Sequence, residues 1–227
     1  MAPLKAALFD FDGTIVDTTN LIYQSMRHAT GEILGRELSR ETLMQNVGQP
    51  LPKQMEILDP ERAADLLESY RTFNDANHEK YIASFPEVET ALERLRDAGL
   101  GVAVVTSKRR HSVELALDSF PALRSLVDFF VTMEDTTEHK PRPEPLLKGL
   151  ELLGGVPPEN AAYVGDAPFD IMAARAAGVL AVGVSWGAFT EDSLRVTEPD
   201  HLSEDLNGVV DWLLGRSRPP QGAYGLF

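Results

Sequence analysis

The 227-residue sequence predicts an α/β fold, a doubly wound, Rossmann-like parallel sheet with an inserted α-helical cap subdomain. Three observations predict it. Short apolar runs alternate with segments of helical periodicity. Two segments, RDAGLGVAVV and RAAGVLAVGV, close a helix at glycine and enter a strand at once. One long interval after the first apolar run carries helical pattern only.

The first run, AALF at 6–9, has no polar alternation, which suits a parallel strand buried on both faces. Helical patterns follow at 21–28, 40–45 and 62–81, and the next strand starts near residue 101. A crossover that long reads as an insertion, so residues 15–85 are assigned to a helical cap. It leaves and re-enters the core near 14–16 and 85–88. The core is then 1–14 with 86–215. Its further strands fall at 102–105, 129–132, 161–164 and 180–184, with a weaker one near 200–202. Helices at 88–98, 109–120, 145–153, 171–177 and 206–214 separate them. Residues 216–227, rich in Gly, Pro and Arg, read as a flexible tail.

At 43% hydrophobic and 25% charged the composition is that of an ordinary globular protein. A formal charge of −14 argues against nucleic acid or an anionic membrane as partner. It also means that a phosphorylated ligand needs a metal ion or a focused Lys/Arg site. The absence of cysteine excludes disulfides, zinc-thiolate centres and cysteine nucleophiles, and fits a reducing compartment. The opening MAPLKAALFDFDG is too short in apolar residues for a signal peptide, and no run approaches the roughly 18–20 a membrane span needs. The expectation is a cytoplasmic monomer or homodimer with no membrane and no nucleic-acid partner.

In an open parallel sheet, ligands bind at the carboxyl ends of the strands. Asp10 and Asp12 stand after the first strand, followed by Gly13-Thr14. Thr106-Ser107-Lys108 follow the second, Lys140 lies in the loop after the third, and Gly165-Asp166 end the fourth, with Asp170 four residues on. A lone aspartate after a strand is most often a helix cap. Carboxylates, a hydroxyl pair and a lysine gathered on one rim are poorly explained by capping. Buried carboxylates are usually paired or bound to a metal.

These residues lie in DFDGT (10–14), VVTSK (104–108), KPRPEP (140–145) and VGDAPFD (164–170). In that order and spacing the sequence resembles the haloacid dehalogenase superfamily of phosphotransferases. The resemblance implies a Mg2+-dependent phosphohydrolase in which Asp10 is the nucleophile and forms an aspartyl-phosphate. Asp12 would be the general acid and base. Asp10 and Asp166 would bind the metal through their side chains, with the backbone carbonyl of Asp12 as third ligand. Thr106 and Ser107 would supply hydroxyl and amide donors to the phosphoryl oxygens, and Lys140 a point charge. Asp170 would support the site, either toward the metal through water or by orienting Lys140. The dehalogenases of the superfamily lack the second aspartate, so Asp12 points to phosphate ester or anhydride chemistry.

Two further stretches, VGQPLPKQ at 47–54 and the segment 182–202, resemble the phosphoglycolate phosphatase and pyrophosphatase-like branch. The expected substrate is a small phosphorylated metabolite, a phosphoglycolate-like phosphomonoester. Inorganic pyrophosphatase and sugar phosphomutase are the alternatives. A mutase needs clustered phosphate-binding cations in its cap. The insert offers Lys53, Arg71 and Asn46 as possible substrate contacts and no basic cluster, which favours water as acceptor.

Two other readings fail on the sequence. GVSWG at 183–187 matches a serine nucleophile elbow, but only His201 follows it and too little chain remains for a triad. Gly183 and Gly187 are therefore read as loop glycines. A receiver domain shares the acid cluster but needs neither an inserted cap nor Asp12.

Overall fold

The computed structural model describes residues 3–217. The chain opens with β1 (Ala6–Phe9) and β2 (Val16–Asp17). Helices α1 (Thr19–Leu34), α2 (Arg40–Met44), α3 (Leu51–Leu58), α4 (Ala63–Ala76) and α5 (His78–Tyr81) follow, then β3 (Ala83–Ser84). The remainder alternates: α6 (Val88–Asp97), β4 (Gly101–Val105), α7 (Arg110–Ser119), α8 (Leu123–Leu126), β5 (Phe129–Val131), α9 (Glu144–Leu152) and β6 (Ala161–Gly165). Last come α10 (Pro168–Ala177), β7 (Leu180–Val184), α11 (Glu191–Arg195), β8 (His201–Ser203) and α12 (Leu206–Ser217).

Six strands form one parallel sheet in the order β5-β4-β1-β6-β7-β8. The continuous apolar runs are its central strands, buried on both faces as their composition requires. Side chains alternate between the faces. Ala7 and Phe9 of β1 pack with α6, α7 and α12, whereas Ala6 and Leu8 pack with α9 and α10. The expected α/β architecture is therefore the observed one.

The helices between β2 and β3 bury a cluster of their own, centred on Met26, Leu43, Met55, Leu66 and Tyr70. Where the chain passes from the sheet to these helices and back, β2 and β3 pair antiparallel, Val16 opposite Ser84 and Asp17 opposite Ala83. Strands of two residues have too little pattern to be read from sequence. Several contacts tie this helical layer to the core: Asp75 of α4 forms an ion pair with Arg109 and faces His111, the Ser107 hydroxyl donates to the Gly48 carbonyl at 2.8 Å, and Ala188 and Phe189 pack on the helical cluster.

Several expected boundaries are corrected. The insert holds five helices among the described residues, not three. Helix α3, with Pro52 in its first turn and only Gln54 and Met55 buried, is too short to show its period. The expected helix over 62–81 breaks at Asn77. Gly183 lies within strand β7, not in a loop. Arg216 and Ser217 belong to α12 rather than to a tail, and the remaining residues of that expected tail lie outside the described residues. Among the described residues no helix is long and apolar enough to cross a membrane.

Candidate active site

The site stands at the carboxyl ends of β1, β4 and β6. The β1–β6 ladder runs one residue past the strand: the Asp10 N–H donates to the Val164 carbonyl at 2.8 Å, which sets Asp10 against Gly165-Asp166. Close approach of the next turn depends on missing side chains. Gly13 has φ +75°, and a Cβ there would run into the Asp166 carboxylate. A Cβ on Gly187 would meet the same carboxylate. Between them Asp166 accepts the Ala188 N–H at 2.6 Å through Oδ2.

Lys140 is the buried cation of the group. Its Nζ donates to Asp170 Oδ1 at 2.6 Å and to the Tyr163 hydroxyl at 2.9 Å, and lies 2.9 Å from Asp10 Oδ1. That last approach is off the hydrogen-bonding direction, so Asp10 Oδ1 has charge beside it and no aligned donor. Asp170 accepts the Ala167 N–H at 2.9 Å through Oδ2, and so caps α10 while it orients Lys140. Of the two supporting roles open for Asp170, its direct contacts are those of the second. The Tyr163 hydroxyl donates in turn to the Val105 carbonyl at 2.7 Å. Asp12 stands apart from this network. Its Oδ1 accepts from Lys108 Nζ and from the Thr18 hydroxyl, each at 2.7 Å.

Asp10, Asp166 and Asp170 offer carboxylate oxygens within 4.8 Å of one another, and all three are buried. One lysine compensates three carboxylates. Burial pushes Asp10 up to about 7 even though Lys140 pulls it down. Burial, then Asp170 and Asp10, hold Asp166 well above the usual carboxylate range. For Lys140, burial alone would lower the ammonium, but Asp10 and Asp170 outweigh it and hold the group above its ordinary value. The pocket is thus short of positive charge and holds an oxygen without a donor. An oxygen-preferring divalent cation such as Mg2+ fits both conditions. Asp170 is committed to Lys140 and the helix cap, which leaves Asp10 and Asp166 as the side chains that could hold it.

The structure brings Asp10, Asp12, Thr106, Ser107 and Asp166 to one cleft, which encloses about 80 Å³. Lys140 and Asp170 sit just behind Asp10. Thr106 Oγ1 accepts the Lys108 N–H at 3.1 Å. The Ser107 hydroxyl proton is spent on Gly48, so its backbone N–H is the donor left to it. From the helical layer the lining includes Ile22, Val47, Gln54, Tyr70, Arg71 and Asn74. Of the three insert residues singled out in the sequence, only Arg71 lines the cleft. Lys53 pairs with Glu56 at 3.1 Å, and Asn46 accepts from Gln49 at 3.2 Å. Ser185 shows no triad: its N–H and hydroxyl both face the Ser203 carbonyl, and His201 stacks on Trp212.

Sequence pattern alone assigns no role to Lys108, Thr18 or Tyr163. Lys108 had a signal, since it closes the VVTSK stretch. Tyr163 had one too, as the single polar atom in an otherwise apolar central strand. Thr18 had none.

The family described as haloacid dehalogenase-like hydrolase matches residues 7–184. The protein named "Putative pyrophosphatase PpaX" of Caldanaerobacter subterraneus is 39% identical over 89% of this chain and 91% of its own length. "Pyrophosphatase PpaX" of Anoxybacillus flavithermus is 33% identical over 95% of this chain and 99% of its own. The crystal structure of a "predicted phosphoglycolate phosphatase" from Haemophilus somnus superposes with a TM-score of 0.79 at 25% identity, over 93% of this chain and 99% of that one. With its strand order, its rim of aspartates and these matches, the chain belongs to the haloacid dehalogenase-like hydrolase family.

Proposed function

We propose that the chain is a Mg2+-dependent phosphohydrolase of small phosphorylated metabolites, working through an aspartyl-phosphate on Asp10, with residues 15–85 as its cap. The observation that carries the reading is Asp10 itself. It is a buried carboxylate at the cleft floor, charge-compensated by Lys140 yet with one oxygen lacking an aligned donor, beside an Asp12 held separately by Lys108 and Thr18.

An Asp10 oxygen attacks phosphorus and forms the acyl phosphate as the bond to the leaving oxygen breaks. Asp12 gives that oxygen its proton. Water then attacks the phosphoenzyme, Asp12 takes the water's proton, and orthophosphate leaves with Asp10 restored. Lys108 and Thr18 keep Asp12 aimed throughout. Lys140 keeps Asp10 in place, and the N–H of Ser107 and the hydroxyl of Thr106 hold phosphoryl oxygens. Asp10, Asp166 and the backbone carbonyl of Asp12 would hold Mg2+, which when bound would supply positive charge against the phosphoryl oxygens.

For the substrate, a phosphoglycolate-like phosphomonoester is the first reading. Inorganic pyrophosphate is the second, favoured by the names of the relatives at 39% and 33% identity. The test is a phosphate-release screen over phosphoglycolate, pyrophosphate and hexose phosphates, with and without excess chelator. The expected result is release that requires Mg2+. Undiminished release in chelator, or interconversion of hexose 1- and 6-phosphates with little free phosphate, overturns the reading.

A further inference from the structure

Three cations line the cleft: Arg71, Lys108 and Arg109. Two are spoken for within the chain. Lys108 is held by Asp12, and Arg109 by Asp75 and by the Ser112 hydroxyl at 2.9 Å. Arg71, on α4, differs from both. Its Nε is buried with no hydrogen-bond partner, and among the described residues no carboxylate pairs with its guanidinium. Arg71 is half-buried, and a buried N–H without a partner costs the protein the desolvation of that donor. Such a group is offset when an anion is supplied from outside, and the guanidinium fork suits carboxylate and phosphate alike. Arg71 comes from the helical layer, whereas the groups that would transfer phosphate come from the sheet. It is therefore placed to meet a part of the substrate other than the phosphoryl group that reacts.

We propose that Arg71 binds a second anionic group on the substrate, the one that is not transferred. The cleft then selects phosphate compounds whose far end is a carboxylate or a further phosphate. The inference rests on the phosphohydrolase reading above and narrows its substrate class. Phosphoglycolate and pyrophosphate both meet this requirement, since each presents a negative group beyond the scissile bond. A contact to a non-reacting end is made in the ground state and the transition state alike, so its loss appears in KM more than in kcat.

The test compares Arg71→Gln and Arg71→Lys with the parent protein on phosphoglycolate, pyrophosphate and ethyl phosphate, the last having a neutral end. Arg71→Gln should lower kcat/KM for an acid-ended substrate by about 10- to 100-fold, mostly through KM, as expected for loss of a hydrogen bond to a charged group. Ethyl phosphate turnover should be unchanged. Arg71→Lys should retain part of the preference, and the two acid-ended arms show whether carboxylate or phosphate is the better fit. An equal loss on all substrates, or no loss on any, overturns the proposal. If the parent protein releases phosphate from none of them, the phosphohydrolase reading falls and binding judges Arg71 alone. Calorimetry in Mg2+ should then show Arg71→Gln weakening methylenediphosphonate by about tenfold or more while methylphosphonate is unaffected. Equal affinity of parent and variant for methylenediphosphonate overturns the proposal by that route.

Discussion

Replacing Tyr163 by Phe would test whether the buried polar network is a structural unit. Tyr163 is fully buried in β6, and β1 lies between β6 and β4 in the sheet. Its hydroxyl nonetheless reaches the Val105 carbonyl at the end of β4, at 2.7 Å, and receives the Lys140 ammonium at 2.9 Å. Phe keeps the ring and its packing, so the change isolates the oxygen. The neutral bond contributes about 0.5–1.5 kcal/mol and the bond to a charged group about 1.5–3. Their joint loss should therefore cost about 2–4.5 kcal/mol. For a chain of this size each kcal/mol moves the melting midpoint by about 2–4 °C, so a fall of about 4–18 °C is expected. Urea unfolding followed by circular dichroism measures the free energy directly, with the slope unchanged. A second arm repeats the substitution in a Lys140→Met background, where the ammonium bond is already gone and the cost should shrink. A loss below about 0.5 kcal/mol, the scatter of ordinary surface changes, would refute the reasoning.

Asp10→Asn should abolish phosphate release, whereas Thr106→Ala, which removes one donor, should leave activity lower by about 10²–10³. A phosphate assay on protein checked for deamidation decides it, and an active Asp10→Asn protein would remove Asp10 as nucleophile. Gly187→Ala would push a Cβ into the Asp166 carboxylate and should erase the stabilisation expected from Mg2+, which for the parent protein should be about 2.7 kcal/mol at 100 times Kd. Melting curves across a Mg2+ titration read this directly, and an unchanged shift would count against Asp166 as ligand. His78 is buried with neither ring nitrogen partnered, and burial, then Lys108, lowers it to about 4. Its folded pKa lies below its unfolded value near 6.5, so the unfolded chain binds the proton first. The stability His78 contributes is complete above about 6.5 and lost as pH falls toward 4, by up to about 3 kcal/mol. Denaturation of the parent and of His78→Phe at pH 7 and pH 4.5 should show the parent losing stability relative to the variant on the acid side; a constant difference would dismiss the effect.

The sheet is legible in the sequence because its central strands are unbroken apolar runs, and a run buried on both faces has only one kind of place to go. The rim follows from it, since Asp10, Thr106 and Asp166 each come directly after such a run. What escaped has physical reasons. β2 and β3 are two residues each, and α3 is barely two turns, so none carries a countable period. Gly183 sits in a strand because its missing side chain leaves room for Leu202, a neighbour that no local pattern reveals. Arg71 and Lys53 look alike in sequence, each a cation in an amphipathic helix. One lines the cleft and the other pairs with Glu56 outside it, and only the tertiary arrangement separates them.

The pairing of β2 with β3 places the points of departure and return of the helical insert one strand spacing apart, about 4.8 Å. To the sheet, everything between Asp17 and Ala83 is topologically the loop of a hairpin. The entropic cost of closing such a loop rises only with the logarithm of its length. The insert can therefore lengthen, shrink or exchange its surface residues at little expense to the parallel strands that carry the aspartates. If the insert selects the ligand as proposed, that choice and the transfer of phosphate fall in separate stretches of chain joined by four paired residues, and each is free to change at its own pace.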